Sequence, residues 1–158
     1  MLSDVYKRNI ELDGIFYEKY GNDKDVFDKN CIEILVELGE FINETKCFKY
    51  WSIKKPNKEA MLDEYADVIT MILYFANILK MDVKDYKINS TDKELLELIN
   101  ETYYLCTKIM SNMTEELIGN ILTNTLEIAY LLDIKEDKII NAINKKHEII
   151  YERLNSDY

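Results

Sequence analysis

Glu37 and Glu40 stand three residues apart, and so do Glu64 and Asp67. On a helix that spacing puts both members of a pair on one face. If the two helices pack antiparallel across the short segment between them, the four carboxylates converge. An all-oxygen ligand set suits Mg²⁺, which binds octahedrally at about 2.0–2.1 Å and usually keeps waters and substrate phosphates in its shell. Two or more such ions could neutralise a polyphosphate and activate a water for attack.

Spacing by itself does not select these pairs. Asp25/Asp28, Asp82/Asp85, Glu94/Glu97 and Asp133/Glu136 repeat it and read as solvated faces. Context separates the first two pairs from the others. Glu37 and Glu40 are embedded in ILVELGEFI, and Glu64 and Asp67 in MLDEYADVI, apolar on both sides. Partly desolvated carboxylates are costly without a partner. Glu33/Glu37 and Glu40/Glu44 also repel at four-residue spacing. A basic group or a metal relieves both costs. Gly39 sits mid-helix between two acids, where glycine costs about 1 kcal/mol relative to alanine; close approach of another helix or of a ligand is a reason to keep it. Both readings, metal site and solvated stripe, stay open at this level.

The elements that must position these acids are helical. The chain has 158 residues, 47% apolar, with four Gly and one Pro. That composition favours helix over a turn-rich β fold, and the length suits one domain, residues 1–158. Periodicity predicts helices over 3–20, 25–46, 57–80, 92–111, 114–132 and 135–154. Val5, Leu12, Ile15 and Phe16 are apolar positions of the first. Phe27, Cys31, Ile34, Leu35, Leu38 and Ile42 mark the second, and Met61 to Leu79 give the third a wide apolar face. KYWSIKKPN reads as a loop, because Pro56 disfavours helix at Lys55. Residues 81–91 read as a connection. Ser90 or Thr91 is placed to cap the fourth helix with Glu94 closing a capping box, and Thr114 to cap the fifth. Six helices with short connections make an all-α bundle.

A net charge of −10 disfavours nucleic acid as a partner. No apolar run approaches the roughly 18–20 residues of a membrane span, and the N-terminus lacks the apolar core of a signal peptide. Cys31, Cys47 and Cys106 fit neither a CxxC motif nor a disulfide framework. A cytoplasmic protein with reduced thiols is the simplest expectation.

The block ILVELGEFINETKCFKYWS, followed by LDEYADVI, resembles the dimeric all-α dUTPases, within the wider MazG-like nucleoside triphosphate pyrophosphatases. The family hallmark is ExxE, a spacer, then ExxD, matched here by Glu37, Glu40, Glu64 and Asp67. The resemblance runs through most of the chain. It is strongest at 31–68, recognisable at 5–16 and 146–158, and vague at 85–135. It implies Mg²⁺-dependent cleavage of dUTP to dUMP and pyrophosphate, with those four carboxylates as catalytic metal ligands for two or more ions and Mn²⁺ able to substitute. One of the four, or Glu44 beside them, would orient the attacking water. It also implies a homodimer, with a tetramer as the variant.

The resemblance assigns further positions. Asn9 stands where the family has a base-recognising Gln, before Leu12 and Asp13; a surface polar residue is its alternative role. Trp51 matches a tryptophan near the base site; covering the core is its alternative role. Lys54, with Lys49 and Lys55 nearby, is the preferred match for a phosphate-contacting lysine; a solvated loop lysine is the competing reading of each. In the tail KKHEIIYERLNSDY, Lys146, Arg153 and Tyr158 match a triphosphate clamp, while a basic last turn complementing the helix dipole is the competing reading. His147 favours a structural or exposed role. Ile150, Leu154 and Asp157 replace the family's Asn, Gln and Gly, and Thr70 replaces a His. These departures bear on base specificity more than on the metal chemistry. Three readings therefore enter the structural test: a dUTP pyrophosphatase, a pyrophosphatase for another pyrimidine or modified dNTP, and a non-catalytic helical binding or regulatory module.

Overall fold

A computed structural model describes residues 1–156. Those residues form seven helices and no strand: α1 (Ser3–Tyr20), α2 (Lys24–Thr45), α3 (Lys58–Ile78), α4 (Leu95–Cys106), α5 (Ile109–Asn112), α6 (Glu115–Leu131) and α7 (Glu136–Asn155). The fold is all-α, as the periodicity predicts.

Local chemistry sets most of the boundaries. Asp23 accepts a hydrogen bond from the Val26 N–H at 3.0 Å and starts α2. Lys46, in the left-handed region at φ 57°, ends it. Asn57 accepts from the N–H groups of Glu59 and Ala60 and starts α3. Thr114 accepts from Leu117 and starts α6, as expected. Asp23, Asn57 and Thr114 each satisfy amide donors that the first helical turn leaves free.

The fourth expected helix differs. It spans Leu95–Cys106 rather than 92–111 and neither Ser90 nor Thr91 caps it. The Thr91 hydroxyl instead accepts from the Lys93 N–H at 3.2 Å, a local turn that competes with helix initiation. Glu94 occupies the cap position without a side-chain cap bond, so no capping box forms. The helix stops before Thr107, whose hydroxyl donates back to the Tyr104 carbonyl at 2.7 Å, and one short turn, α5, follows. The same sequence stretch therefore yields two elements, and the bundle counts seven helices among the described residues instead of six.

α3 is the central helix. It packs on α1, α2, α6 and α7, and α4 packs on α2 and α6. Its buried residues, Met61, Tyr65, Ala66, Val68, Ile69, Ile72, Leu73, Phe75 and Ala76, wrap most of its circumference. They belong to one apolar cluster that draws on the other helices too, including Leu2, Val5, Ile34, Leu38, Phe41, Leu98, Ile109, Leu122, Ile139 and Ile143. Of the apolar residues expected on α1, Val5 and Leu12 are buried, whereas Phe16 lies outside the core and stacks on Tyr20 at 5.8 Å.

Two aromatic contacts establish how α2 meets α3. Phe27, early in α2, packs edge-on against Phe75, late in α3, at 6.1 Å. Phe41, late in α2, packs against Tyr65, early in α3, at 5.1 Å. The helices therefore run antiparallel. Tyr65 is fully buried, and its hydroxyl donates to the Thr125 carbonyl at 2.9 Å, tying α3 to α6. Phe41 follows Glu40 in sequence and Tyr65 follows Glu64, so the aromatic pair sets the register in which the two acidic faces meet.

No single helix among the described residues is long and apolar enough to cross a membrane.

Candidate active site

The antiparallel packing brings the acids of α2 and α3 together. Glu37, Glu40 and Glu64 each offer a carboxylate oxygen, and these oxygens lie within 4.8 Å of one another. Carboxylates this close repel unless something positive lies between them. The stress is visible in Glu37, whose carboxyl is pushed up from the ordinary range to about 7 by burial, then by Asp67, Glu40, Glu33 and Glu64. Burial raises Glu64 as well, with Asp67 and Glu40 adding to it.

Asp67, the fourth expected ligand, is not among the acids gathered within 4.8 Å; its charge acts on Glu37 and Glu64, and it already has a cationic partner. Lys146 of α7 places its Nζ 2.7 Å from Asp67 Oδ2 and 3.2 Å from Asp63 Oδ2. Burial raises the Asp67 carboxyl more than the bond to Lys146 lowers it. For Lys146 the balance runs the other way: burial works against its charge, and the bonds to Asp67 and Asp63 outweigh it and raise the ammonium.

A shallow cleft beside the triplet is lined by Val36, Gly39, Glu40, Asn43, Glu44 and Glu64. Gly39 has its explanation here. An added Cβ would sit 3.2 Å from the hydroxyl of Tyr103, on α4. The close neighbour is thus a side chain of another helix. Glu44 lies in the cleft with its carboxylate 3.4 Å from Lys46 Nζ. Glu33 is exposed, at the outer end of the stripe.

The other expected positions distribute around this centre. Trp51 is 65% exposed, which rules out covering the core. It lies in the loop that leaves α2 at the Glu44 end, held edge-on against Tyr50 at 5.1 Å and Phe48 at 6.1 Å. Lys54 is exposed in the same loop, its N–H donating to Ser52 Oγ at 3.2 Å. Arg153 is exposed in the last turn of α7. Tyr158 and Asp157 lie outside the described residues.

Asn9 is buried and committed internally. Its amide nitrogen donates to Asp13, and its Oδ1 lies 3.0 Å from His147 Nε2. Because the amide nitrogen faces Asp13, Nε2 carries the proton and donates to Oδ1. Asn77 of α3 donates to Asp13 at 2.8 Å, so one polar chain joins α1, α3 and α7. His147 is fully buried, which decides for the structural role over the exposed one. Burial, with the charge of Arg8, pushes its imidazole down to about 4. Burial also pushes Asp13 up to about 6 against the bonds from Asn77 and Asn9.

Sequence reasoning missed Asp63, Asn43 and this buried chain. Asn9 did carry a signal, since Val5, Asn9 and Leu12 fall on one helical stripe. Asn43 likewise follows Glu40 by three residues.

The pH dependence of the metal-free protein follows from these groups. Glu37 titrates near 7 in the folded state against 4.5 as its ordinary value, so in that interval the native state binds the extra proton. Stability contributed this way grows as pH falls through 7 and is lost as pH rises. Asp13 acts in the same direction. His147 opposes them below its ordinary 6.5, because there the unfolded chain takes up the proton first. In EDTA, the Tm is therefore expected to rise between about pH 8 and pH 6.5, and Glu37→Gln to remove most of that rise. A thermal scan series that is flat for the unmodified protein contradicts this account.

The donor set around Glu37, Glu40 and Glu64 is all carboxylate oxygen, which fits a hard divalent cation and not a thiolate- or imidazole-seeking one. A family model described as dUTPase matches residues 1–158 of the chain. No curated protein matches it.

Proposed function

Because the chain belongs to the dUTPase family, and so is a nucleotide pyrophosphohydrolase, we propose that it hydrolyses dUTP to dUMP and pyrophosphate with Mg²⁺ as cofactor. The observation that carries this reading is the convergence of three carboxylates within 4.8 Å, from two helices, with a fourth, bonded to Lys146, whose charge acts on two of them. Glu37, Glu40, Glu64 and Asp67 would hold the metal, with Mn²⁺ able to replace Mg²⁺. When bound, the metal offsets the polyphosphate charge and makes a water a better nucleophile at neutral pH.

The remaining steps belong to the chain's own groups. A carboxylate of the cleft, Glu44 or one of the four, orients the water that attacks the α-phosphorus. The water oxygen bonds to that phosphorus, the bond to the bridging oxygen breaks, and pyrophosphate leaves. Lys146, Arg153 and Lys54 meet the triphosphate as cations. Tyr158 completes that assignment. Trp51, exposed beside the cleft end of α2, offers a face on which a base can stack. The resemblance gives Asn9 a base-recognising role, but its buried amide is bonded to Asp13 and to His147, so Asn9 would meet a base only by giving up one of those bonds.

One observation favours a different base. Thr70, at the position of the family's His, donates its hydroxyl hydrogen to the Ala66 carbonyl of its own helix at 2.7 Å, so that donor is not available to a base edge. A pocket that loses such groups loses its basis for discrimination. A modified or alternative pyrimidine dNTP is the second reading on this ground.

We read the chain as a single domain that forms a homodimer in the cytoplasm. Large exposed hydrophobics on adjoining α2 and α4, namely Ile32, Val36, Leu96 and Tyr104, support self-association. The three unpaired cysteines are compatible with a reducing compartment.

The test is a hydrolysis panel over dUTP, dCTP, dTTP, dATP, dGTP and the ribonucleotides, each with Mg²⁺ and with EDTA. Release of dUMP and pyrophosphate from dUTP, abolished by EDTA, is expected. Preference for another nucleotide reassigns the pocket and keeps the chemistry. No cleavage of any, together with no metal binding, leaves a non-catalytic helical module.

A further inference from the structure

Asp63 belongs to none of the acid pairs that the sequence singles out, yet it holds a cation at the edge of the site. It lies one turn before Asp67 on α3, and the two carboxylates share the ammonium of Lys146 at 3.2 and 2.7 Å. The Lys146 side chain is only 13% exposed, while that of Asp63 is 45% exposed. An ammonium this enclosed is costly without partners. Two like charges four residues apart on one helix are also unfavourable, and the shared cation relieves them.

Lys146 and a divalent cation compete for Asp67. An oxygen engaged by a metal loses most of its attraction for an ammonium. We infer that Asp63 is a positioning residue: it retains Lys146 at the rim of the site when Asp67 is engaged by a divalent cation, so that the ammonium stays available to substrate phosphate. The inference rests on the metal-dependent reading above. It requires no large rearrangement, because Asp63 is already within bonding distance of Lys146. An ordinary exposed ion pair, by contrast, does little measurable work.

The test is a double-mutant cycle read by Mn²⁺ binding to the EDTA-stripped full chain without nucleotide, following free Mn²⁺ by electron paramagnetic resonance. In Asp63→Asn, Lys146 has only Asp67, and the metal must displace it, so Mn²⁺ affinity is expected to fall about five-fold. Lys146→Met is expected to tighten Mn²⁺ binding. In the Lys146→Met background, adding Asp63→Asn should change the affinity by less than about two-fold. Asp63→Glu should restore binding. Equal weakening in both backgrounds would make Asp63 a through-space charge and overturn the inference. A protein that binds Mn²⁺ but hydrolyses no nucleotide removes the proposed function while the cycle still decides on Asp63. A protein that binds no Mn²⁺ overturns both.

Discussion

Glu37→Gln is expected to lower kcat for nucleotide hydrolysis by about a thousand-fold, equivalent to roughly 4 kcal/mol of lost transition-state stabilisation. Glu37 sits in the close carboxylate triplet, and its own carboxyl is the one held up near 7 by burial and by the acids around it. A carboxylate in that state gains most from a bound cation. The substitution keeps the side-chain shape, so the far-ultraviolet circular dichroism should be unchanged. A pH signature accompanies it. At limiting Mg²⁺, protons and metal compete for Glu37, so activity should fall as pH drops below about 7, and excess Mg²⁺ should move that limb to lower pH. Unaltered turnover in the variant removes Glu37 from the metal set.

Phe41→Ala should be the most damaging single change to the scaffold. Phe41 is fully buried and meets Tyr65 at 5.1 Å directly behind the acids. Removing a ring of that size costs about 3–5 kcal/mol through lost transfer energy and the cavity left behind. For a chain of this length the Tm should drop by about 10 °C. The more specific expectation concerns metal. This packing sets the register of α2 on α3, so Mn²⁺ affinity should fall even at temperatures where the variant is fully folded. Ile118→Ala is the control: Ile118 is equally buried, but on α6, which contributes none of the four acids. If both variants lose Mn²⁺ affinity to the same degree, the effect belongs to stability and not to carboxylate alignment.

The two readings left open for the acidic stripe are now weighed by geometry. Glu37 and Glu40, the latter exposed, differ from the other pairs in that an acid of a second helix, Glu64, offers an oxygen within 4.8 Å of theirs. Asp25 and Asp133, members of two pairs with the same spacing, instead bond to nearby lysines, Lys29 at 2.6 Å in one case and Lys135 in the other. Three-residue spacing is common to all of them. Apolar flanks led to an expectation of partial desolvation, and Glu37, Glu64 and Asp67 are half-buried while Glu40 is exposed.

The sequence alone determined the helical class, five of the helices within a few residues, the Thr114 cap and the two acid pairs. These depend on interactions within four residues along the chain, which periodicity and cap chemistry report directly. Asp23, Asn57 and Thr114 are capping residues that the structure uses. The local rule failed where a competing local bond won, at Thr91 and again at Thr107. Tertiary structure alone decided that Trp51 stays exposed, that Gly39 faces Tyr103, that Lys146 lies between Asp63 and Asp67, and that His147 closes on Asn9. The partners in those last two contacts are 83 and 138 residues apart in the chain. No periodicity encodes such pairs, because they exist only once side-chain packing has chosen which helix faces meet.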